Sequence, residues 1–350
     1  YSKYEKEDGT EVRTYVEDPN GKGDIGSCML LGLNSNTPTL VIPYRNSSTD
    51  SYTLDLEFLP FSMFNAGGDG SIQNPYLISS AGDMAMIARN PAAHYRIVND
   101  FSAASYGAWT AIPSFTGSLD GGNFTISDLT IDGNQASAAI FASAENAKIS
   151  NFTLDNASIE IDQATTAAFV VAEALTDTIS NITITNATIT ANDNAYATIG
   201  TVMGSAMFNS VIEGCYVSNL FIEAPSCSNI GGIVGDTRTG SSIAACAVDG
   251  KIKGSSTVGG IVGALGTDCS ALNCHASVEI NALNTIGGIA GTADRGGIHL
   301  CYIEGSLIAT EADYNGYYSV GGITGNLAIN WDSTIDTTLP WNGMVISNNV

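Results

Sequence analysis

Gly231-Gly232-Ile233-Val234-Gly235 returns as Gly259-Gly260-Ile261-Val262-Gly263, as Gly287-Gly288-Ile289-Ala290-Gly291 and as Gly321-Gly322-Ile323-Thr324-Gly325, at spacings of 28, 28 and 34 residues. Weaker copies precede these blocks: Gly200-Thr201-Val202-Met203-Gly204, Ala168-Phe169-Val170-Val171-Ala172 and Ala138-Ala139-Ile140-Phe141-Ala142, which makes seven at periods of 28 to 34. A second motif keeps phase with the first. It reads Ile149-x-x-Phe152-x-Leu154, Ile179-x-x-Ile182-x-Ile184, Ile212-x-x-Cys215-x-Val217, Ile243-x-x-Cys246-x-Val248, Ala271-x-x-Cys274-x-Ala276 and Ile298-x-x-Cys301-x-Ile303. Two motifs locked together over this many periods define a repeat architecture.

Within each repeat, apolar residues alternate at period two, as in Phe152/Leu154, Ile159/Ile161, Ile182/Ile184 and Ile222/Ala224. That is strand patterning, rich in Ile, Val and Thr, and no 3.6-residue stripe runs through a repeat. About three short strands per period of near 30 residues suit one coil of a parallel β-helix. Leucine-rich repeats need a Leu-x-x-Leu-x-Leu consensus, and propeller blades need longer, four-stranded units. The fold class expected is therefore all-β, a parallel β-helix of about seven coils. Coils stack at about 4.8 Å, so each inward position becomes a ladder of like residues. The Gly-Gly pair is expected to give backbone freedom at a tight corner where a Cβ would clash.

Residues 71–350 form this repeat region, and 71–115 read as its cap and lead-in. Ser79-Ser80-Ala81-Gly82-Asp83 looks like a helix start, with Met84, Ile87 and Ala88 on one face and Asn90-Pro91 closing it. Such a helix covers the open end of the coil, which would otherwise present unpaired strand edges. Phe115 to Gly122 starts the first coil, with Ile126, Leu129 and Ile131 as its core residues. Residues 1–65 carry no repeat and hold five of the 12 basic residues. Leu40-Val41-Ile42, closed by Pro43, and the alternating Tyr52–Phe58 read as strands of a small β-rich segment, as in part of a sandwich, with Arg45-Asn46-Ser47-Ser48 as a turn.

Composition excludes several classes of function. Charged residues make up 13% of the 350, and 12 Lys and Arg stand against 35 Asp and Glu, a net charge of −23. Between Arg96 and Arg238 the only basic residue is Lys148, against 14 acids. Nucleic-acid binding and attachment to anionic lipid both require the opposite sign. No stretch of 18 apolar residues occurs, so no membrane-inserting segment is expected.

The stretches Asn74-Pro75-Tyr76-Leu77-Ile78-Ser79-Ser80, Tyr95-Arg96-Ile97-Val98-Asn99-Asp100, Trp109-Thr110-Ala111-Ile112-Pro113 and Phe115-Thr116-Gly117-Ser118-Leu119-Asp120-Gly121, followed by the Gly-Gly-Ile-Val-Gly blocks, resemble GLUG-motif bacterial surface proteins. The resemblance covers roughly residues 71–330. Where the family's usual sequence is Asp-Gly-Asn-Gly, this chain has Asp120-Gly121-Gly122-Asn123. The resemblance implies a right-handed parallel β-helix on a secreted or cell-surface bacterial protein, whose signal or anchor lies outside this chain. It implies adhesion or glycan binding, with host or dietary glycans or a host surface protein as partners. It also implies a second possibility, since some bacterial immunoglobulin A peptidases carry such repeats beside a separate catalytic domain.

Candidate chemistry is sparse, and no cofactor is expected. Cys215, Cys246, Cys274 and Cys301 share one motif column at spacings of 31, 28 and 27. That spacing reads as a stacked inward ladder of reduced thiols, because neighbouring Cβ atoms about 4.8 Å apart exceed the roughly 3.8 Å a disulfide needs. No Cys-x-x-Cys and no His-Glu-x-x-His occurs, so no zinc site is expected. His94, His275 and His299 are the only histidines, and alternation sends Cys274 and His275 to opposite faces. A polysaccharide lyase or glycoside hydrolase would need carboxylates meeting in a groove. The weak candidates are Asp120, Asp128 and Asp132, with Asp155, Glu160 and Asp162 on the next coil; their spacing suits solvated turns equally well. For ligand binding the candidates are Trp109 and the cluster Tyr314, Tyr317 and Tyr318 in the longest period, with Tyr196 and Tyr216 as further outward rings able to stack on sugars. The leading expectation is a non-catalytic adhesin or glycan-binding stalk. A carbohydrate-active enzyme and the repeat region of a larger surface peptidase are the alternatives.

Overall fold

Alternating apolar residues become strand throughout the repeat region, and each inward side chain lands above its counterpart one period earlier. The computed structural model describes residues 67–310 apart from 193, 194, 228 and 284, residues 319–328 and 345–347, and the backbone of strands at 2–5, 11–14, 29–31, 39–46 and 53–60. Two compact units result, Tyr1–Asp69 and Gly70–Val350.

In the first unit Ser2–Glu5 pairs antiparallel with Glu11–Thr14. Met29–Leu31, Thr39–Asn46 and Thr53–Pro60 form an antiparallel sheet with the middle segment at its centre. Pro43 does not close its strand, and Arg45 and Asn46 are strand, not turn: the register runs on through Pro43 opposite Leu56 to Asn46 opposite Thr53. A proline removes one donor, and the remaining pairs of so long a ladder suffice to carry the strand past it.

The second unit is a parallel β-helix of about seven coils with three walls. Each coil starts with a short strand of a narrow wall, such as Thr257–Gly259, turns a corner into a middle wall, such as Val262–Leu265, and then enters a long wall, such as Ser270–Leu272 followed by His275–Ala282. The narrow and middle walls each hold seven described strands, one per coil. Pairing is in register from coil to coil. Leu119, Ile149, Ile179, Ile212, Ile243, Ala271 and Ile298 form one inward file of the long wall, every member buried. Ile131, Ile159, Ile189, Ile222, Ile252 and Ile280 form another. A fully buried Ile contributes roughly 1.5–3 kcal/mol. An exposed ion pair contributes about 1 kcal/mol or less. The inward files therefore hold the stack together, and outer pairs add little.

The repeated block is explained by three separate close approaches. A Cβ on Gly231 would fall on the Val234 carbonyl oxygen, one on Gly232 on the Gly260 oxygen of the next coil, and one on Gly235 within 2.7 Å of the Gly204 oxygen and of Thr198 Cγ2 on the previous coil. None of the three has a left-handed φ. The corner thus requires space, and the rotational freedom expected from the sequence is not what it uses.

Left-handed residues lie instead at the outer bends, where asparagine dominates. Asn151, Asn181 and Asn273 occupy one bend with φ of 63°, 54° and 53°; Asp128, Asn156, Asn186 and Asn219 occupy another with φ of 58°, 56°, 55° and 51°. Asn tolerates this region because its short amide bonds locally. Here the amides also link the coils: Asn181 Nδ2 donates to Asn151 Oδ1 at 3.1 Å and Asn219 Nδ2 to Asn186 Oδ1 at 2.8 Å.

The N-terminal end of the stack carries the helix Ala81–Ala85, continued by a tighter turn at Met86–Arg89. Ser80 Oγ accepts from Asp83 N, and Asp83 Oδ2 accepts from Ser79 N and Oγ. Met84 and Ile87 are buried as expected, but Ala88 is exposed. The last turn has three residues per turn, which rotates Ala88 off the buried face. Behind the helix an aromatic file, Tyr76–Tyr95–Phe115–Phe141, runs into the first coil with centroid separations of 5.7, 6.2 and 4.5 Å.

Two chemically identical substitutions meet different surroundings. Gly260→Ala drives a Cβ onto the Gly288 oxygen and to 2.8 Å from Ala276 Cβ, whereas a Cβ on Gly322, the same block position in the last described coil, meets nothing within 4 Å among the described residues. Gly260→Ala is expected to cost about 1–3 kcal/mol in equilibrium denaturation. Gly322→Ala should shift the midpoint negligibly.

Candidate binding surface on the outer face of the long wall

The carboxylates singled out in the sequence are turn formers. Asp120 Oδ1 accepts from Gly122 N and Asn151 Nδ2, both at 3.0 Å, and its Oδ2 lies 3.9 Å from Arg96 Nε. Asp128 accepts from Asn156 Nδ2, Ser102 Oγ and Ser127 Oγ at 2.8, 2.7 and 3.0 Å. Asp132 accepts from Asn134 N and Nδ2 at 2.9 and 3.1 Å. Hydrogen bonds from Asn156 and the two serines hold Asp128 below the usual carboxylate range, and those from Thr185 and Asn186 do the same for Asp155. A general acid needs the opposite displacement.

Cys215, Cys246, Cys274 and Cys301 are all buried inside the tube, each near the carbonyl two residues back; the Cys246 and Cys301 sulfurs lie 3.2 and 3.3 Å from the Ala244 and His299 oxygens. None of these four thiols, nor Cys227 or Cys269, is in a disulfide. Hydrogen bonding with the thiol one coil earlier, reinforced by burial, pushes Cys246 and Cys274 up to about 12 and raises Cys301; Cys215, which heads the chain, is lowered by its bond with Cys246. A thiol held protonated is a poor nucleophile and a poor metal ligand. Among the described residues no group of three or more His, Cys, Asp or Glu side chains is placed to hold a metal ion.

One titratable group went unseen in the sequence. Asp177 is buried; its Oδ1 accepts from Ala147 N on the preceding coil at 2.6 Å and its Oδ2 from Leu175 N at 2.7 Å. Below it the ladder continues, as Asp177 N donates to Ser210 Oγ and Ser210 N to Ser241 Oγ, both at 3.3 Å. Burial pushes the Asp177 carboxyl up to about 6, against the pull of its two backbone donors. The group is a coil-to-coil clamp.

The aromatic candidates divide differently from the sequence expectation. Trp109 is not a surface ring: it is 1% exposed, and its Nε1 donates to the Ile140 carbonyl at 3.2 Å. Its backbone bridges Ile131, so it extends the inward file of that isoleucine and points into the tube. Tyr314, Tyr317 and Tyr318 lie outside the described residues. Tyr196 is exposed, and Tyr216 stands on the outer face of the long wall. Register then assembles a file that the sequence reading did not recognise: Thr125, Thr153, Thr183, Tyr216, Ala247, His275 and Tyr302. Its last four members are the residues that follow Cys215, Cys246, Cys274 and Cys301, so the motif held the signal.

On this file Tyr216 and Tyr302 are 47% and 41% exposed, and the His275 and Tyr302 rings are 5.0 Å apart. Beside it, two residues along each strand, runs a polar file of Asp249, Ser277 and Glu304. Glu304 lies beside both rings, with Oε1 3.5 Å from His275 Nε2 and Oε2 accepting from Tyr302 Oη at 3.3 Å. Further along the wall come exposed Phe221 and two cross-coil ion pairs, Lys251–Glu279 at 2.9 Å and Lys253–Glu223 at 2.7 Å.

The class defined by these features is a parallel β-helix bearing an outward aromatic file on its long wall. No family model matches the chain. A stretch of 105 residues, 26% of this chain and 1% of the relative, is 41% identical to Halomucin from Haloquadratum walsbyi (strain DSM 16790 / HBSQ001). A solved structure of an IgA1 protease is similar over 92% of this chain and 23% of its own, at 16% identity and a TM-score of 0.44. The chain therefore spans only a small part of either protein. No described helix is long and apolar enough to cross a membrane.

Two measurements follow from the buried groups. In the folded protein, maleimide labelling with peptide mapping should leave the four stacked cysteines unmodified until denaturant unfolds the chain; rapid native labelling would place them outside the tube. For Asp177, a carboxyl raised on folding contributes most stability below about pH 4 and loses it as pH rises through about 6. The denaturation midpoint of the natural chain should fall across that window, and Asp177→Asn should remove this component; an opposite slope would contradict the assignment.

Proposed function

We propose that the protein is an extracellular, non-catalytic surface module that binds glycan on the aromatic file Tyr216–Ala247–His275–Tyr302. The observation that carries this reading is the exposure of rings in register on a rigid wall, with hydrogen-bonding side chains beside them. Rings held on a ladder lose no conformational freedom on stacking against sugar faces, which favours binding. The saturated, low-lying carboxylates of Asp128 and Asp155 speak against a glycosidase on the first coils. The resemblance of residues 71–330 to GLUG-motif surface proteins, and the partial identity with a protein named as a mucin, support placement at a cell surface.

A glycan array probed with the full chain tests the reading. The natural protein should retain glycans; the double variant Tyr216→Ala/Tyr302→Ala should lose retention by about tenfold or more, with an unchanged far-ultraviolet spectrum. Polysaccharide turnover that disappears in Asp120→Asn or Asp128→Asn would replace this reading with an enzymatic one.

A further inference from the structure

Resting on the glycan-binding reading above, we infer that the ligand is an uncharged, extended polysaccharide lying parallel to the stack of coils. The direction follows from the file. Tyr216, Ala247, His275 and Tyr302 succeed one another along the coil axis, one per coil, at about 4.8 Å per step. Across the strands, by contrast, a described coil offers at most two rings on this wall, Tyr216 with Phe221 or His299 with Tyr302. A chain running along the axis meets three rings; one running across it meets two at most.

The spacing suits a chain whose successive sugars turn over. Rings at Tyr216 and His275 are two coils apart, about 10 Å. Between them Ala247 presents only a methyl group, so the intervening rung is recessed. An extended polymer with alternating residue orientation presents equivalent apolar faces at every second sugar. It would stack on Tyr216 and His275 while the sugar between them projects its substituents over Ala247.

Charge excludes an acidic polymer. The file next to the rings supplies Asp249, Ser277 and Glu304, which accept hydrogen bonds from sugar hydroxyls and repel carboxylates and sulfates. The nearest cations on the wall, Lys251 and Lys253, are engaged by Glu279 and Glu223. Arg238 and Arg295 are likewise paired, with Asp236 at 3.0 Å and Asp294 at 3.7 Å. The whole chain carries −23. An anionic glycan would meet like charge at long range and at contact.

Titration calorimetry on the full chain discriminates the outcomes. The probes are cello-, xylo- and manno-oligosaccharides from disaccharide to hexasaccharide, polygalacturonate, heparin and a lysine-rich peptide. The expected result is binding to at least one neutral series, with affinity rising with length and levelling off once the chain spans Tyr216 to Tyr302, and with little dependence on salt. Tyr216→Ala should weaken the longer oligomers about tenfold and Tyr216→Phe should restore them, because the ring and not the hydroxyl carries the contact. Binding of polygalacturonate or heparin instead, abolished by salt, overturns the neutral ligand while leaving the glycan reading intact. Neutral binding that is independent of length overturns the axial orientation. Binding of the peptide alone, or of none of the probes, overturns both.

Discussion

In-register stacking of one coil on the next is the constraint on which everything else in the repeat region rests. Strand N–H and C=O groups of each coil are paired with the coils above and below, so a coil cannot slip or rotate independently. Every side-chain position consequently becomes a file. The isoleucine files at Ile149 and Ile159 fill the interior, the cysteine file lines one inner bend, and the asparagine files tie the outer bends together. A single requirement thus accounts for a packed apolar core, for a column of buried thiols and for a bend chemistry dominated by one residue type.

The same constraint explains why the blocks are so glycine-rich where the walls meet. A Cβ on Gly231 would meet the Val234 oxygen across the corner of its own coil, and one on Gly232 or Gly235 the Gly260 or Gly204 oxygen of an adjacent coil. The last described coil shows the reverse: among the described residues nothing lies within 4 Å of where a Cβ on Gly322 would sit. Glycine in this motif marks where backbone, of its own coil or of a neighbouring one, leaves no room for a Cβ. At the outer bends the demand is for left-handed backbone, and asparagine meets it while adding an amide that reaches the neighbouring coil.

A rigid ladder also turns a run of unremarkable positions into a surface. Each of Tyr216, His275 and Tyr302 taken alone is an exposed side chain of a kind most surfaces carry. Register places them in one file beside Asp249, Ser277 and Glu304, and Tyr302 Oη donates to Glu304 Oε2. Buried Asp177 shows the same principle inward, where a carboxylate becomes a clamp between two coils through the backbone donors it captures.

The repeat period, the strand alternation and the inward cysteine column were legible in the sequence, because a hydrophobic file needs the same residue class at the same phase in every coil. The helix start at Ser80 was legible too, since capping is local. Trp109 was misjudged because nothing nearby in sequence indicates that it aligns with Ile131; only pairing across 22 residues turns its side chain inward. Ala88 escaped because the switch to a tighter turn depends on what the helix packs against. The binding file lay in plain view as the residue after each cysteine, yet period and phase do not say how exposed a position is or which side chains flank it. Those properties belong to neighbours distant along the chain, and only the folded stack brings them together.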